Sequence, residues 1–438
     1  MKSIVVRLMA VVFVFACVAQ LHAKEEMKST EYAGGNAGGK EEAAAVVAPA
    51  VAQKSSGWNL GNLFRYGRLG DGIKVDDTRW VIHPTYEQRG TFDSNIFMDP
   101  TNPKSDYFFD MIPGVEIEMP MSKHLLTAAY KADFSQYCKY QTQNSADQMA
   151  NTKLFLDFDR YYVRQNNYFN DTTSRSGTEF TTKVQRRNWT FDTTAGAIWN
   201  KFTFETGYSY FFENYVKQAY QELDRDEHVF TSSAFYRIFP KTELLVESNT
   251  GIVRYDNSGG GFRDNNYYQV RGGVRGQILP KLTGIGKVGW MGKYYTTDNV
   301  PDYSSAVTYL GFVYEMTSRT SIIASYECTA REATYGDNNY YDQNLFTLEL
   351  DQKIMNKLSG FFRTSYENDA YPRNTILVGT LQDQKRNDDV WGFATGLNYD
   401  IQEWLKTGVE YDFDNRGSNF SFYDYDRHTF FWKLAAKL

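Results

Sequence analysis

The sequence predicts an all-β fold, a closed antiparallel up-and-down transmembrane β-barrel of about eighteen strands, with sixteen as the alternative count. Three observations carry that expectation. From Trp80 to the last residue the hydropathy period is two. The periodic segments are joined alternately by tight turns and by long polar stretches. Beyond the N-terminus no run approaches the roughly 18 apolar residues that a membrane-crossing helix needs. Composition agrees: 33 Tyr, 31 Phe and 8 Trp make 16% of the chain aromatic, beside only 10 Pro, yet mean hydropathy is −0.54. Aromatic residues suit pleated, half-buried surfaces. A net charge of −6, from 47 basic and 53 acidic residues, argues against a nucleic-acid partner, which would require a basic surface.

The first 23 residues read as a secretory signal peptide: Lys2 and Arg7 give a positive start, Ile4 to Val18 is apolar apart from Arg7, and Ala23 is a small residue at the end. Once Cys17 leaves with that segment, Cys138 and Cys328 remain, too few for a disulfide framework, and two free thiols are expected. Residues 24–57, with two Gly-Gly pairs and an Ala/Val/Pro run from Ala43 to Ala52, read as a flexible linker. Residues 58–79 regain aromatics without a clean period and form an extension of undefined shape. The barrel is expected over 80–438.

Along the barrel the alternation is clearest at Glu403 to Phe413, where Leu405, Thr407, Val409, Tyr411 and Phe413 oppose Lys406, Gly408, Glu410 and Asp412. It recurs at Lys201 to Glu213 and at Asn344 to Lys353. Tight turns fall at Trp199-Asn200-Lys201, Pro240-Lys241-Thr242, Pro280-Lys281, Thr317-Ser318-Arg319, Asn356-Lys357 and Gln402-Glu403. Long connections are expected at Asp256 to Asn266, Gly336 to Asp342, Tyr371 to Asp388 and Asn415 to Asp426. Short and long sides match the periplasmic and external ends of an outer-membrane barrel, with both termini periplasmic. An even strand number requires a break in Asn151 to Phe169. A turn near Asp159-Arg160 supplies it, separating Asn151–Phe158 from Tyr161–Asn170.

If the apolar rows meet lipid, the polar rows line a lumen. Candidate pore-lining residues are then Asp110, Glu116 and Glu118 on one strand, Glu205 on another, Glu243 and Glu247 on a third, and Arg271 with Arg275 on the next. Lys287, Lys293, Glu349, Glu410, Asp412 and Lys433 complete the set. Opposed acidic and basic walls would create a transverse field suited to polar or zwitterionic solutes. The same charges could equally solvate one another inside a filled barrel.

Enzyme signatures are weak. His83, His124, His228 and His428 are scattered, and none has a Ser or Asp nucleophile set beside it in the strand order. Gly284 to Gly289 spells GxGxxG but lies within a period-two strand, where glycines allow close packing or bending of the sheet. No Cys/His spacing suits a metal, and no cofactor is expected. The acidic segment Tyr423-Asp424-Tyr425-Asp426 offers at most weak calcium ligands.

Phe92-Asp93-Ser94-Asn95-Ile96-Phe97, Ser105-Asp106-Tyr107 and Ile112-Pro113-Gly114-Val115 resemble the N-terminal signature of the putative β-barrel porin type 2 family. Arg416-Gly417-Ser418-Asn419, Tyr423 to Arg427 and the closing alternating strand are similar to its C-terminal end. The resemblance implies an outer-membrane barrel, with some relatives associated with exopolysaccharide or capsule export. It also implies that the last strand engages the barrel-insertion machinery, although Leu438 stands where a terminal aromatic is usual. It carries over no site residues. The functional expectation is a channel for passive diffusion of small hydrophilic solutes, embedded in outer-membrane lipid. The alternative is a barrel serving polysaccharide export.

Overall fold

In a computed structural model, the chain is described at residues 70–75, 78–176, 182–256, 263–297, 300–333, 338–376 and 383–438. After a two-residue strand β1 (Ile73–Lys74) come β2 (Val81–Asp93), β3 (Asp106–Met121), β4 (His124–Tyr137), β5 (Ser145–Asp157), β6 (Tyr161–Ser174) and β7 (Val184–Trp199). Next are β8 (Phe202–Tyr215), β9 (Arg225–Phe239), β10 (Thr242–Tyr255), β11 (Asn265–Leu279), β12 (Leu282–Tyr295) and β13 (Tyr303–Thr317). The series ends with β14 (Thr320–Glu332), β15 (Tyr340–Lys353), β16 (Leu358–Ile376), β17 (Asp383–Gln402), β18 (Leu405–Ser418) and β19 (Tyr425–Lys437). Each strand from β2 to β19 pairs antiparallel with its sequence neighbours, and β19 pairs with β2 from Thr429↔Asp93 to Lys437↔Thr85. The result is a closed barrel of eighteen strands, so no open edge faces hydrocarbon.

Connections alternate between two to four residues at one end and six to twelve at the other. Short ones turn tightly through left-handed residues, Ser122 (φ 61°), Asp159 (φ 68°) and Asn200 (φ 54°), as two-strand turns with the right twist require. Asp159 marks the break between β5 and β6, where parity demanded one. The hairpin of β16 and β17 departs from expectation. Tyr371 to Asp388 reads as a connection, but Tyr371–Ile376 and Asp383–Asp388 are strand, paired again after a register shift between Ala370 and Asn374. Their Asn, Asp and Arg content reflects a hairpin that continues past the apolar band. At 13 to 20 residues the barrel strands exceed the 9 to 11 or so that span a bilayer.

A single closed sheet has nothing covering its outer face, so side chains buried on it must point inward. On β10, Leu245 and Glu247 are buried while Val246 is 58% exposed; on β12, Lys287 is buried while Val288 is 60% exposed. The outward rows therefore carry the apolar band. Aromatics rim it on both sides, with Tyr107, Trp189, Trp290 and Phe430 toward the long connections and Trp199, Phe202, Tyr314 and Tyr399 toward the short turns. Ring contacts knit the rim, as between Tyr366 and Trp391 at 4.5 Å and between Tyr411 and Phe430 at 4.6 Å.

Candidate functional site: the inward face

Strand alternation puts the candidate residues on the inward rows, and the pairing register decides which of them meet. Glu247 on β10 lies opposite Arg271 on β11, and Lys287 stands on β12 beyond it. Arg271 bonds Glu247 directly, and the Lys287 Nζ lies 2.8 Å from its other oxygen. Glu247 and Lys287 are buried and Arg271 is partly so, and each cation offsets the cost of desolvating the carboxylate. Glu243 takes Arg275 at 2.9 Å and Arg237 at 3.6 Å. Arg275 also stacks on Phe235, its guanidinium 3.6 Å from the ring centroid. Two acidic and three basic candidates thus share one wall, which corrects the expectation that these charges oppose one another across the lumen. Register across neighbouring strands, not visible in one strand at a time, brings them together.

The remaining candidates are distributed around the barrel. Glu205 accepts from Tyr162 and, at 2.8 Å, from Arg164. Glu116 accepts from Lys437 at 2.7 Å, and Glu118 is exposed two residues on. Glu349 and Glu410 are bridged by Arg363, at 3.5 and 3.6 Å. Asp412 follows Glu410 in the inward row of β18, and Lys433 stands opposite Arg89 in the register of the closing seam. Asp110 accepts from Ser135 at 2.5 Å and Lys293 donates to Glu332 at 2.5 Å, both toward the long-connection end and both buried.

Depth divides this face in two. Near the short turns its cations stay accessible: Arg164, Arg363 and Lys131 have side chains 43% to 50% exposed. Toward the long connections many inward side chains are buried against one another. Arg186 and Arg225 flank Glu213 at 3.2 and 3.7 Å. Val229, Val253, Tyr267, Met291, Tyr303 and Val307 form an apolar cluster. Arg386 bonds Asp388 and lies between Tyr423, 3.7 Å away, and Tyr371, 4.7 Å away. The connections themselves reach inward, since Ile96 is buried and its carbonyl accepts from Arg175 at 2.6 Å. In the connection ahead of β9, burial pushes the Asp224 carboxyl up although it accepts from the Tyr215 backbone N–H.

Arg363, Glu332, Glu213 and the two arginines beside it were not apparent from sequence. Asp93 and Arg427, which pair with each other, both fell within quoted motifs. The acidic residues Asp424 and Asp426 are engaged internally, by the Ser418 N–H at 2.7 Å and by Asn415 at 2.6 Å. His83, His124, His228 and His428 stand apart. His83 meets the Leu438 carbonyl at 2.9 Å, His124 accepts from the Asp157 N–H, and His228 and His428 pair with Tyr208 and Tyr411. Cys138 and Cys328 are free thiols.

A closed barrel with an apolar, aromatic-rimmed outside and a charged inside is a transmembrane β-barrel of the outer-membrane class. The chain belongs to the family described as Putative beta-barrel porin 2, which matches residues 72–438. Among solved structures it is similar to Acinetobacter baumannii OccAB3, with 10% identity, TM-score 0.46, and coverage of 82% of this chain and 100% of that one. It is also similar to a BenF-like porin from Pseudomonas fluorescens Pf-5, with 9% identity, TM-score 0.46, and coverage of 82% and 99%. A third is Pseudomonas aeruginosa OccK2 (OpdF) in complex with glucuronate, with 10% identity, TM-score 0.46, and coverage of 82% and 98%. No curated protein matches the chain.

Proposed function

We propose that this porin-family barrel is a passive diffusion channel for small hydrophilic solutes. The observation that carries the reading is the accessible, charged inner wall in the short-turn half, where Arg164, Arg275, Lys131 and Arg363 keep water contact beside Glu205, Glu243, Glu116 and Glu349. Charges of both signs at close quarters suit polar and zwitterionic solutes and set no strong single-sign filter. In this reading the short turns and both chain termini face the periplasm, and β19 engages the insertion machinery.

Purified protein in planar bilayers should give discrete current steps above the lipid baseline. Absence of any step, with correctly folded protein, overturns the reading. The export alternative separates from it in the cell: loss of surface polysaccharide on deletion, with no change in uptake of small solutes, would favour export.

A further inference from the structure

The outward row of β6 runs Tyr161, Val163, Gln165, Asn167 and Phe169, alternating with Arg164, which bonds Glu205 on the inside. Tyr161 and Phe169 are 52% and 39% exposed and belong to the two aromatic rims, near Trp199 and Trp189 of β7. Gln165 therefore stands midway across the apolar band, where an amide has no water to bond. Its side chain has no hydrogen-bond partner among the described residues. Asn167 donates to the Thr152 hydroxyl at 2.9 Å, which leaves its carbonyl oxygen without a donor among the described residues. By contrast, the outward amides Gln88 and Gln148 are engaged within the chain: Gln88 bonds the Asp110 carbonyl and the Tyr86 hydroxyl, and Gln148 accepts from Tyr130.

The flanking strands leave this place open. In the pairing register Gln165 lies between Leu154 of β5 and Thr193 of β7, and Asn167 lies between Thr152 and Phe191. Ala150, Ala195 and Ala197 stand around them on the outward rows, and small side chains let another surface approach closely. Between the rims those rows of β5, β6 and β7 carry no Asp, Glu, Lys or Arg that would repel a like surface. Lipid tails offer neither donor nor acceptor. A primary amide offers both, so in hydrocarbon its complement is another amide. Two copies inserted in the same direction are related by a two-fold axis along the membrane normal, which sets like residues face to face. A contact of β6 with β6 thus brings Gln165 against Gln165, each carbonyl accepting from the other's N–H.

We propose that the outward face of β5, β6 and β7 is the membrane-embedded contact of a homodimer, with Gln165 and Asn167 of the two copies hydrogen-bonded across a two-fold axis. The contact rests on the barrel and its lipid face, not on the diffusion reading, and each copy keeps its own lumen.

The test uses the full-length chain with Cys17→Ser and Cys328→Ser, labelled with donor or acceptor dye at Cys138, an exposed thiol just beyond β4. In phosphatidylcholine vesicles, energy transfer between copies should persist as lipid dilutes the protein and should vary linearly with the acceptor fraction, as two copies require. Gln165→Leu with Asn167→Leu should raise the apparent dissociation constant about tenfold or more. The heat-modifiable band should show that variant folded, since leucine suits a lipid face. If it does not fold, Gln165→Ala with Asn167→Ala replaces it. Ala195→Trp should break the contact by bulk, whereas Gly272→Trp, on the outward row of β11, should leave it intact. Transfer in the parent no greater than random mixing gives overturns the proposal. So does transfer that the leucine pair leaves unchanged, or equal loss from the two tryptophan variants, since either puts the contact on another face. A curved dependence on acceptor fraction, reporting three or more copies, overturns the two-fold arrangement.

Discussion

Arg427 on β19 and Asp93 on β2 clasp at 2.7 Å across the seam that closes the barrel, both side chains at most 7% exposed. Asp414, at 3.7 Å, is the second carboxylate near that guanidinium. Asp93→Ala strips Arg427 of its nearer partner in a buried setting, a change that costs about 3–5 kcal/mol when no other charge compensates. Asp414 should keep the loss at the lower end. The heat-modifiable gel band should therefore convert to the unfolded position at a lower temperature for Asp93→Ala than for the paired change Asp93→Leu with Arg427→Met. Equal stability of the two variants would show that the seam does not depend on this pair.

The Glu247 cluster separates two arginines four residues apart. Arg271→Glu would place a second carboxylate against Glu247, with Lys287 alone to offset both in a buried site, and should destabilise the barrel by about 3–5 kcal/mol. Arg275 is 36% exposed, and Glu243 keeps Arg237 when it is replaced. Arg275→Glu should therefore fold normally and move the reversal potential of the channel toward cation selectivity. Denaturant midpoints of the two variants, with bilayer reversal potentials in a salt gradient, check both expectations.

The fold was legible because lipid imposes a strict rule on half of every strand. Leu405 to Phe413 announces its two faces because one row must be apolar, and the Asp159 turn follows from strand parity. What was hidden depends on register or on the ends of strands. Glu247, Arg271 and Lys287 each looked like an isolated lumen charge, since the pairing that joins them spans three strands. Arg363 sits in β16, where Phe361 and Phe362 in succession blur the alternation. Glu332 ends β14 where no lipid rule applies, and Tyr371 to Asp388 carries the polar composition of a connection although most of it is strand. The two rows were readable; which inward charges neutralise one another was not.

The glycines of β11 and β12 make a sharper test of the inner wall. A Cβ on Gly289 would lie 1.9 Å from the Val270 carbonyl oxygen, and one on Gly273 would lie 2.0 Å from that of Gly286. Backbone cannot yield as a side chain can, so these positions let β11 and β12 approach closely. A Cβ on Gly272, on the outward row, meets nothing within 4 Å. Gly289→Ala should lower folding yield sharply while Gly272→Ala folds as the parent does. Refolding into detergent, followed by gel mobility, decides it, and equal yields would refute the close approach.

The last strand puts the two faces to their most direct test, because neighbouring residues there meet opposite surroundings. Leu434 lies on the outward row between Trp432 and Ala436, with Trp432 44% exposed. Lys433 lies on the inward row, opposite Arg89 of β2. A charge on the lipid face costs up to about 2–4 kcal/mol at the bilayer midplane for Arg or Lys, and less for Asp. In a strand that must also pair with β2 to complete the barrel, even the smaller penalty acts on closure itself. Leu434→Asp should block assembly into the heat-modifiable form. Lys433→Asp sets a carboxylate beside Arg89 in a polar interior and should assemble at close to the parent yield. Equal damage from both substitutions would mean that the closing strand does not stand with one face in lipid and the other in water.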